Sequence, residues 1–298
     1  MISVIIPTHN AEQYIHDLLT SLKGQSVTSE IVVIDSSSSD CTIKIADSFN
    51  VKTKIIIKSS FDHGGTRNLA VTMATGDIIV FLTQDAMPAD RYFLEKLIKP
   101  LKDPDIAATY GRQIPREDAK PIEKFTRAFN YPDTPILKDR KSLSELGIKT
   151  FFFSNVCSAI RKREFEKLGG FTERVIMNED MLFASKLIRN GYKIAYVPEA
   201  EIIHSHNYSW LQHFRRYFDI GVFLKNNSRA LDYVKPYNVG AKFLIEGVIR
   251  LLRNREYIWM PYVIGEAVSK YLGYKSGQHY SLIPDKMRRK LSMHSNYW

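Results

Sequence analysis

Cysteine is scarce in this chain: Cys41 and Cys157 are the only two among 298 residues, and each lies in or beside an apolar stretch. Two buried, reduced thiols are expected rather than a disulfide. Long apolar runs are missing as well. No stretch approaches the roughly 18 apolar residues that a membrane-spanning helix needs. The opening MISVIIPTHN has neither the basic start nor the long apolar core of a secretory signal. A cytoplasmic location follows as the expectation. No G-x-G-x-x-G follows the first strand and no G-x-x-x-x-G-K-[ST] occurs anywhere, which argues against a dinucleotide dehydrogenase or a P-loop NTPase. Internal repeats and low-complexity segments are absent too.

What is present is an ordinary globular composition, 44% hydrophobic and 25% charged, suited to one large α/β domain with an appendage or two modest domains. Charge is unevenly spread. Residues 1–210 hold 27 Lys and Arg against 26 Asp and Glu, whereas residues 211–298 hold 15 against 6. The C-terminal part therefore carries nearly all of the net +10, which points to a polyanionic partner there, membrane or nucleic acid.

The first half alternates strand-like and helix-like segments. Ile2–Ile6, Ile31–Ile34, Lys54–Lys58 and Ile78–Leu82 read as strands. HNAEQYIHDLLTSLKGQ places Ile15, Leu18, Leu19 and Leu22 on one helical face, and GGTRNLAVTMATG reads as a glycine turn, a helix and a terminator. Such alternation predicts βαβ units and a mostly parallel central sheet flanked by helices. Residues 103–150, interrupted by five prolines, read as a long excursion around one side of the sheet, although IAATYG within them is strand-like. FFFSNVCSAI resumes as an apolar strand. GGFTERVIMNEDMLFASKLIRNGYKIAYVP then gives a turn, a loop ending in Glu179-Asp180, a helix and a strand.

Ligands in open α/β sheets bind beyond the carboxyl ends of the strands. Pro7, Thr8 and Asn10 follow the first strand, Asp35 ends the second, and Gln84 and Asp85 follow Leu82. A carboxylate at Asp35 can accept hydrogen bonds from a ribose or a pyrimidine N3–H; it can equally cap the next helix. HGGTRN has the makings of an anion loop, with backbone N–H groups left open by glycine and a fixed fork at Arg67. The alternative is a tight turn with Arg67 in solvent.

Five elements in order, SVIIPTHN, IVVIDSSSSD, HGGTRN, the acidic end of the fourth strand and NEDMLFASKLIRNGYKIAYVPEAEIIHSH, resemble glycosyltransferase family 2 over residues 2–206. FDHGGTRN, FLTQDAMP, FNYP and HSHNY resemble, more narrowly, bacterial rhamnosyltransferases that use dTDP-L-rhamnose. The resemblance implies a GT-A fold, a nucleotide-sugar donor and inversion at the anomeric carbon. It puts Pro7, Thr8, Asn10, Asp35, Asp62, His63, Arg67, Gln84, Asp85, Arg112 and Glu179 on the donor side, with Gln113 beside Arg112 lining the sugar pocket.

Most family members carry Asp-x-Asp where this chain has Thr83-Gln84-Asp85. One carboxylate can still hold a divalent ion when substrate phosphate and water complete the shell. By resemblance, His204 or His206 joins Asp85 as a metal ligand, and imidazole tilts the choice from Mg2+ toward Mn2+. Without a metal, Asp85 reads as a turn cap and the histidines as hydrogen-bonding groups. The resemblance also makes Asp180 the general base, a role worth about 10²–10⁴ in rate; a helix N-terminal acid favoured by the macrodipole is the plainer reading.

From Trp210 onward, Trp, Tyr and Phe interleave with Arg and Lys at helical spacing. Such stretches suit the cytoplasmic face of the plasma (inner) membrane, or amphipathic helices packed on the catalytic domain, and they self-associate into homodimers as readily. No nucleic-acid motif accompanies them, so nucleic acid is not expected as a partner. The resulting expectation is a catalytic domain over residues 1–210, with a nucleotide-sugar half (1–110) and an acceptor half (111–210). A basic helical region over residues 211–298 follows. The enzyme would use a divalent metal and move L-rhamnose onto a polyprenyl-linked glycan acceptor. A UDP-hexose donor on the same scaffold, or a non-catalytic nucleotide-sugar-binding protein, are the alternatives.

Overall fold

The computed structural model describes residues 1–231 and 239–298; residues 232–238, within the basic region, lie outside the described residues. Among the described residues nine strands form one sheet: β1 (Ile2–Thr8), β2 (Glu30–Asp35), β3 (Lys52–Ile55), β4 (Ile78–Leu82), β5 (Met87–Pro88), β6 (Ile106–Ile114), β7 (Ile136–Lys138), β8 (Cys157–Arg161) and β9 (Lys193–Ile203). Their order is β3-β2-β1-β4-β8-β6-β9-β5, with β7 also on β9. From β3 to β4 every pairing is parallel. Beyond β4 the sheet is mixed: β8 runs antiparallel to both neighbours, while β6 and β9 are parallel.

The helices are α1 (Glu12–Lys23), α2 (Thr42–Ser48), α3 (His63–Met73), α4 (Phe93–Ile98), α5 (Pro121–Asn130), the short α6 (Leu143–Leu146) and α7 (Lys162–Lys167), α8 (Glu179–Arg189), α9 (Trp210–Asn226), α10 (Val239–Arg253), α11 (Met260–Gln278) and α12 (Asp285–Leu291). Strand alternation divides the core between the two sheet faces. Ile5, Val32 and Ile34 enter one cluster, while Val4, Ile6, Ile31 and Val33 enter the other together with Ile15, Leu18, Leu19 and Leu22 of α1.

Three expectations need correction. Residues 103–150 are no excursion: β6 runs through the middle of the sheet between β8 and β9. The apolar run FFFSNVCSAI is not one strand; only Cys157–Arg161 pairs, while Phe151 and Phe153 sink into the core and Phe152 and Phe153 meet the Tyr110 ring. Burial alone does not distinguish the two, because core-filling aromatics and paired strand residues are equally apolar. Cys41 is exposed just ahead of α2, and Cys157 alone is buried; both are free.

The core crosses residue 210. Phe218, Val222 and Phe223 of α9 are fully buried in the cluster that holds Ile5 and Phe81 of the sheet. α9 in turn lies backbone-to-backbone against α11, because Gly273 and Gly277 face the Phe214 and Phe218 carbonyls and any Cβ there would collide with them. The basic region is thus joined to the sheet through α9 rather than hung beside it.

Candidate active site

The loops after β1, β4, β6 and β9 meet at one edge. β1 and β4 are neighbours, while the chain leaves β1 toward β2 and β3 and returns to β4, so the edge between them is the topological switch point where a ligand crevice forms. Gln84 closes this seam, accepting from the His9 N–H at 2.8 Å and donating to the His9 carbonyl at 3.2 Å.

Asp85 stands next to it. His204 and His206, just past β9, bring their Nε2 atoms to 3.4 and 3.5 Å from the same Asp85 oxygen. One ligand atom from each of the three residues lies within 4.8 Å of the others. The surroundings orient this set. Arg116 donates to the Asp85 carbonyl at 3.1 Å. Gln113 gives its amide N–H groups to Tyr131 and Ser154, and its oxygen takes Arg127. That same oxygen is 3.0 Å from His204 Nδ1, so Nδ1 is the donor nitrogen and Nε2 is the one that faces Asp85. The His206 ring stacks on Tyr208, with centroids 5.1 Å apart.

Burial opposes ionisation of Asp85, but the two facing histidines outweigh it and hold the carboxyl well below the usual carboxylate range. Burial and the neighbouring His204 push His206 down to about 4 against the pull of Asp85, leaving it neutral at pH 7. A carboxylate and an imidazole lone pair converging on one point fit a divalent ion, and the mixed N/O set suits Mn2+ better than Mg2+. Asp85, His204 and His206 are the residues that would hold it.

Across the cavity, α8 begins at Glu179 after Asn178, which adopts the left-handed conformation (φ 60°) and turns both following acids inward. Glu179 pairs with Arg67 of α3 at 3.2 Å and accepts from Asn155 Nδ2 at 3.0 Å. Both members of the pair are buried. Asp180 accepts the Asn155 N–H at 3.0 Å and the Met181 N–H at 2.8 Å. The two carboxyls diverge. Glu179 is lowered: burial opposes its ionisation, but the Arg67 charge, helped by the Asn155 hydrogen bond, outweighs it. Asp180 is pushed up to about 7, first by burial and then by the Glu179 carboxylate beside it. Adjacent acids driven apart in this way are a signature of acid–base work. The α3 start reaches this wall because Gly64 lies on the Thr172 carbonyl, a contact that no side chain permits.

One cavity of about 580 Å³ joins the two centres, lined by Asp85, His204, His206, Glu179 and Asp180. α9 and α11 close its far wall with Arg216, Tyr217 and Lys270. His63, Arg67 and Gln113 line it too, so the structure brings together seven of the residues expected from sequence and also Gln113.

The remaining expected residues are placed differently. Asp35 is fully buried, with its oxygens taken by Thr8 Oγ1 at 2.8 Å, Ser38 Oγ at 2.6 Å and Ser38 N–H at 2.7 Å. It braces β1 against β2 and presents no free oxygen; nor does it cap α2, where Asp40 takes the Thr42 N–H. Thr8 is buried in that contact and the β1 residue Pro7 is not among the cavity-lining residues. Asn10 bonds the Ser39 N–H across to the β2 loop. Asp62 caps α3 through Gly65 N–H and also holds Arg174 N–H. Arg112 turns away to Glu201 at 3.2 Å, because neighbouring strand residues face opposite sides and Gln113 takes the inner one. Sequence reasoning missed Asn155, Arg116, Tyr208, Arg127, Arg216 and Lys270. Two of them carried a signal: Asn155 is a polar residue inside an otherwise apolar run, and Tyr208 closes the HSHNY motif.

Residues 3–169 match the model for glycosyl transferase family 2. The chain belongs to glycosyltransferase family 2. This family 2 enzyme is 41% identical to the O-antigen chain rhamnosyltransferase RfbN of Salmonella typhimurium, over 100% of this chain and 96% of the relative. It is 40% identical to the O-antigen chain rhamnosyltransferase WbaN of Salmonella anatum, over 99% and 95%. Among solved structures it resembles the Pyrobaculum calidifontis mannosyltransferase PcManGT in complex with GDP-Man and Mn2+, with a TM-score of 0.65 at 18% identity, covering 93% of this chain and 86% of that one. Staphylococcus aureus TarS (residues 1–349) in complex with UDP-GlcNAc follows at 0.55 and 17%, covering 94% and 91%. These neighbours identify the fold as GT-A.

Proposed function

We propose that this glycosyltransferase moves L-rhamnose from dTDP-β-L-rhamnose, with inversion, onto a hydroxyl of a growing cell-surface polysaccharide carried on a polyprenyl lipid. The observation that carries the reading is the end-to-end likeness to two O-antigen rhamnosyltransferases at 40–41% identity. The opposed Asp85 and Asp180 centres in one cavity support the reaction class.

In this reading the sugar lies between the two walls, with its diphosphate toward Asp85, His204 and His206. A bound divalent ion would neutralise charge on the departing diphosphate. Asp180 takes the proton of the acceptor hydroxyl as its oxygen bonds to the anomeric carbon and the bond from that carbon to the phosphate oxygen breaks. A carboxyl held near 7 is matched to that task at neutral pH. Arg67 and Asn155 keep Glu179 ionised beside it, and the Asn155 N–H orients the Asp180 carboxylate toward the acceptor hydroxyl.

The C-terminal helices support placement on an anionic lipid surface. α10 and α11 expose Ile245, Leu252, Ile264 and Val268, Ile258 between them is 86% exposed, and Arg250, Arg253 and Arg255 stand close by in solvent. Among the described residues no helix is long and apolar enough to cross a membrane. Co-sedimentation with phosphatidylglycerol vesicles, lost in Ile258→Asp, is expected; a second copy on the same faces would instead show as a dimer in sedimentation equilibrium.

Isothermal titration with dTDP-rhamnose, dTDP, UDP-glucose and UDP-GlcNAc, with and without Mn2+, tests the donor. Mn2+-strengthened preference for dTDP-rhamnose is expected. Tighter binding of a UDP-sugar overturns the donor, and binding of none overturns the enzymatic reading.

A further inference from the structure

A pair of histidines stands in the cavity wall outside the metal set and the acid pair. His63 opens α3; His294 comes from the segment after α12, more than two hundred residues later. Their rings meet edge to face with centroids 5.0 Å apart. Both line the 580 Å³ cavity, and both also line a second cavity of about 790 Å³ walled by Ser59, Glu173, Arg174 and Asn296, so the pair forms the partition between the two.

The segment that delivers His294 is firmly held. Asp219 of α9, fully buried, accepts the Met293 N–H at 2.8 Å, and Ser292 Oγ accepts the His294 N–H at 2.8 Å. Trp298 packs on Phe218 and Tyr280. Among the described residues neither imidazole has a side-chain hydrogen bond, and His63 Nε2 is buried without a partner. Buried polar atoms are satisfied in native structures as a rule, so an open ring nitrogen in a cavity wall marks a place where a ligand supplies the partner. Burial lowers both imidazoles, His294 to about 4, so each is a neutral ring with one donor and one acceptor nitrogen. That chemistry suits a hydroxyl, which also donates and accepts, and suits a phosphate poorly.

We propose that His63 and His294 form a subsite that binds a hydroxyl of the transferred sugar. The assignment to the transferred sugar follows from place: His63 shares α3 with Arg67, whose partner Glu179 adjoins Asp180, and the sugar undergoing transfer must come to Asp180. The inference rests on the reading of the cavity as a nucleotide-sugar site. It makes the C-terminal segment part of the donor pocket.

The full chain and its His294→Ala and His294→Gln variants are titrated with dTDP-rhamnose and, separately, with dTDP, after thermal melts verify folding. His294→Ala should weaken dTDP-rhamnose about tenfold and leave dTDP within twofold, since one buried hydrogen bond is at stake. His294→Gln, which keeps a donor and an acceptor, should recover most of the loss. Unchanged dTDP-rhamnose binding in His294→Ala overturns the proposal, and so does an equal loss for both ligands. Should the wild-type chain prefer a UDP-sugar, the donor reading falls, and the pair is then judged on that sugar against UDP by the same criteria.

Discussion

The two arms of the sheet treat their loop residues in opposite ways. Over the parallel arm the carboxylate and amide are tied to their neighbours: Thr8 and Ser38 bond Asp35, and the His9 backbone bonds Gln84, although His9 Nδ1 and Ser36 Oγ stay buried without a partner. Over the mixed arm the polar groups converge without closing. Asp85 shares one oxygen between two histidine nitrogens, and Asp180 stands half-buried beside another acid. The first arrangement is a brace, and the second leaves its groups facing a cavity. Standing at a strand's carboxyl end fixes where a residue is; what its side chain can do depends on which groups the neighbouring strand brings to it.

The comparison breaks most visibly at Asp180. Asp180→Asn should lower kcat about 10²–10⁴-fold, the usual worth of a general base. It should also raise the melting temperature at pH 8. The folded carboxyl sits above its unfolded value, so its contribution to stability is complete at low pH and is lost as pH rises through about 7. The amide removes that loss.

Next in size is the buried Arg67–Glu179 pair. Arg67→Met strands a carboxylate in the core, and urea denaturation should register a loss of about 3–5 kcal/mol. Adding Glu179→Gln should restore much of it. At the metal set, Gln113→Met removes the group that orients His204, and calorimetry should show Mn2+ affinity reduced about 10–100-fold. On the braced arm the effect is smallest: Thr8→Val removes one of several bonds to Asp35 and should cost about 1 kcal/mol by urea denaturation.

Much of this was legible in the sequence because it is local. The strands β1, β2 and β4, the body of α3 and the start of α8 follow from apolar runs and capping residues, although the glycines expected as a turn ahead of α3 lie within its first turn. Motif resemblance singled out Asp85, His204 and His206, which the structure clusters, and the adjacent Glu179 and Asp180. What escaped is tertiary. Arg112 and Gln113 are adjacent, and only the pairing of β6 with β9, whose register shifts between Gly111 and Arg112, turns Gln113 inward and leaves Arg112 to Glu201. Asp35 sits where a ligand group would, yet Thr8 and Ser38 claim its oxygens. Charge and spacing leave open whether the basic aromatic helices pack on the catalytic domain, and they do not tell that Phe218, Val222 and Phe223 are the residues of α9 that enter the core.

The pH dependence of kcat/KM for dTDP-rhamnose, measured from pH 5 to 9 with saturating Mn2+, tests most directly the claim that Asp180 takes the acceptor proton. The account predicts a rate that rises with pH through an apparent value of about 7 with unit slope, and that Asp180→Asn loses this limb. A profile flat over that range, or a limb that survives in Asp180→Asn, would contradict it.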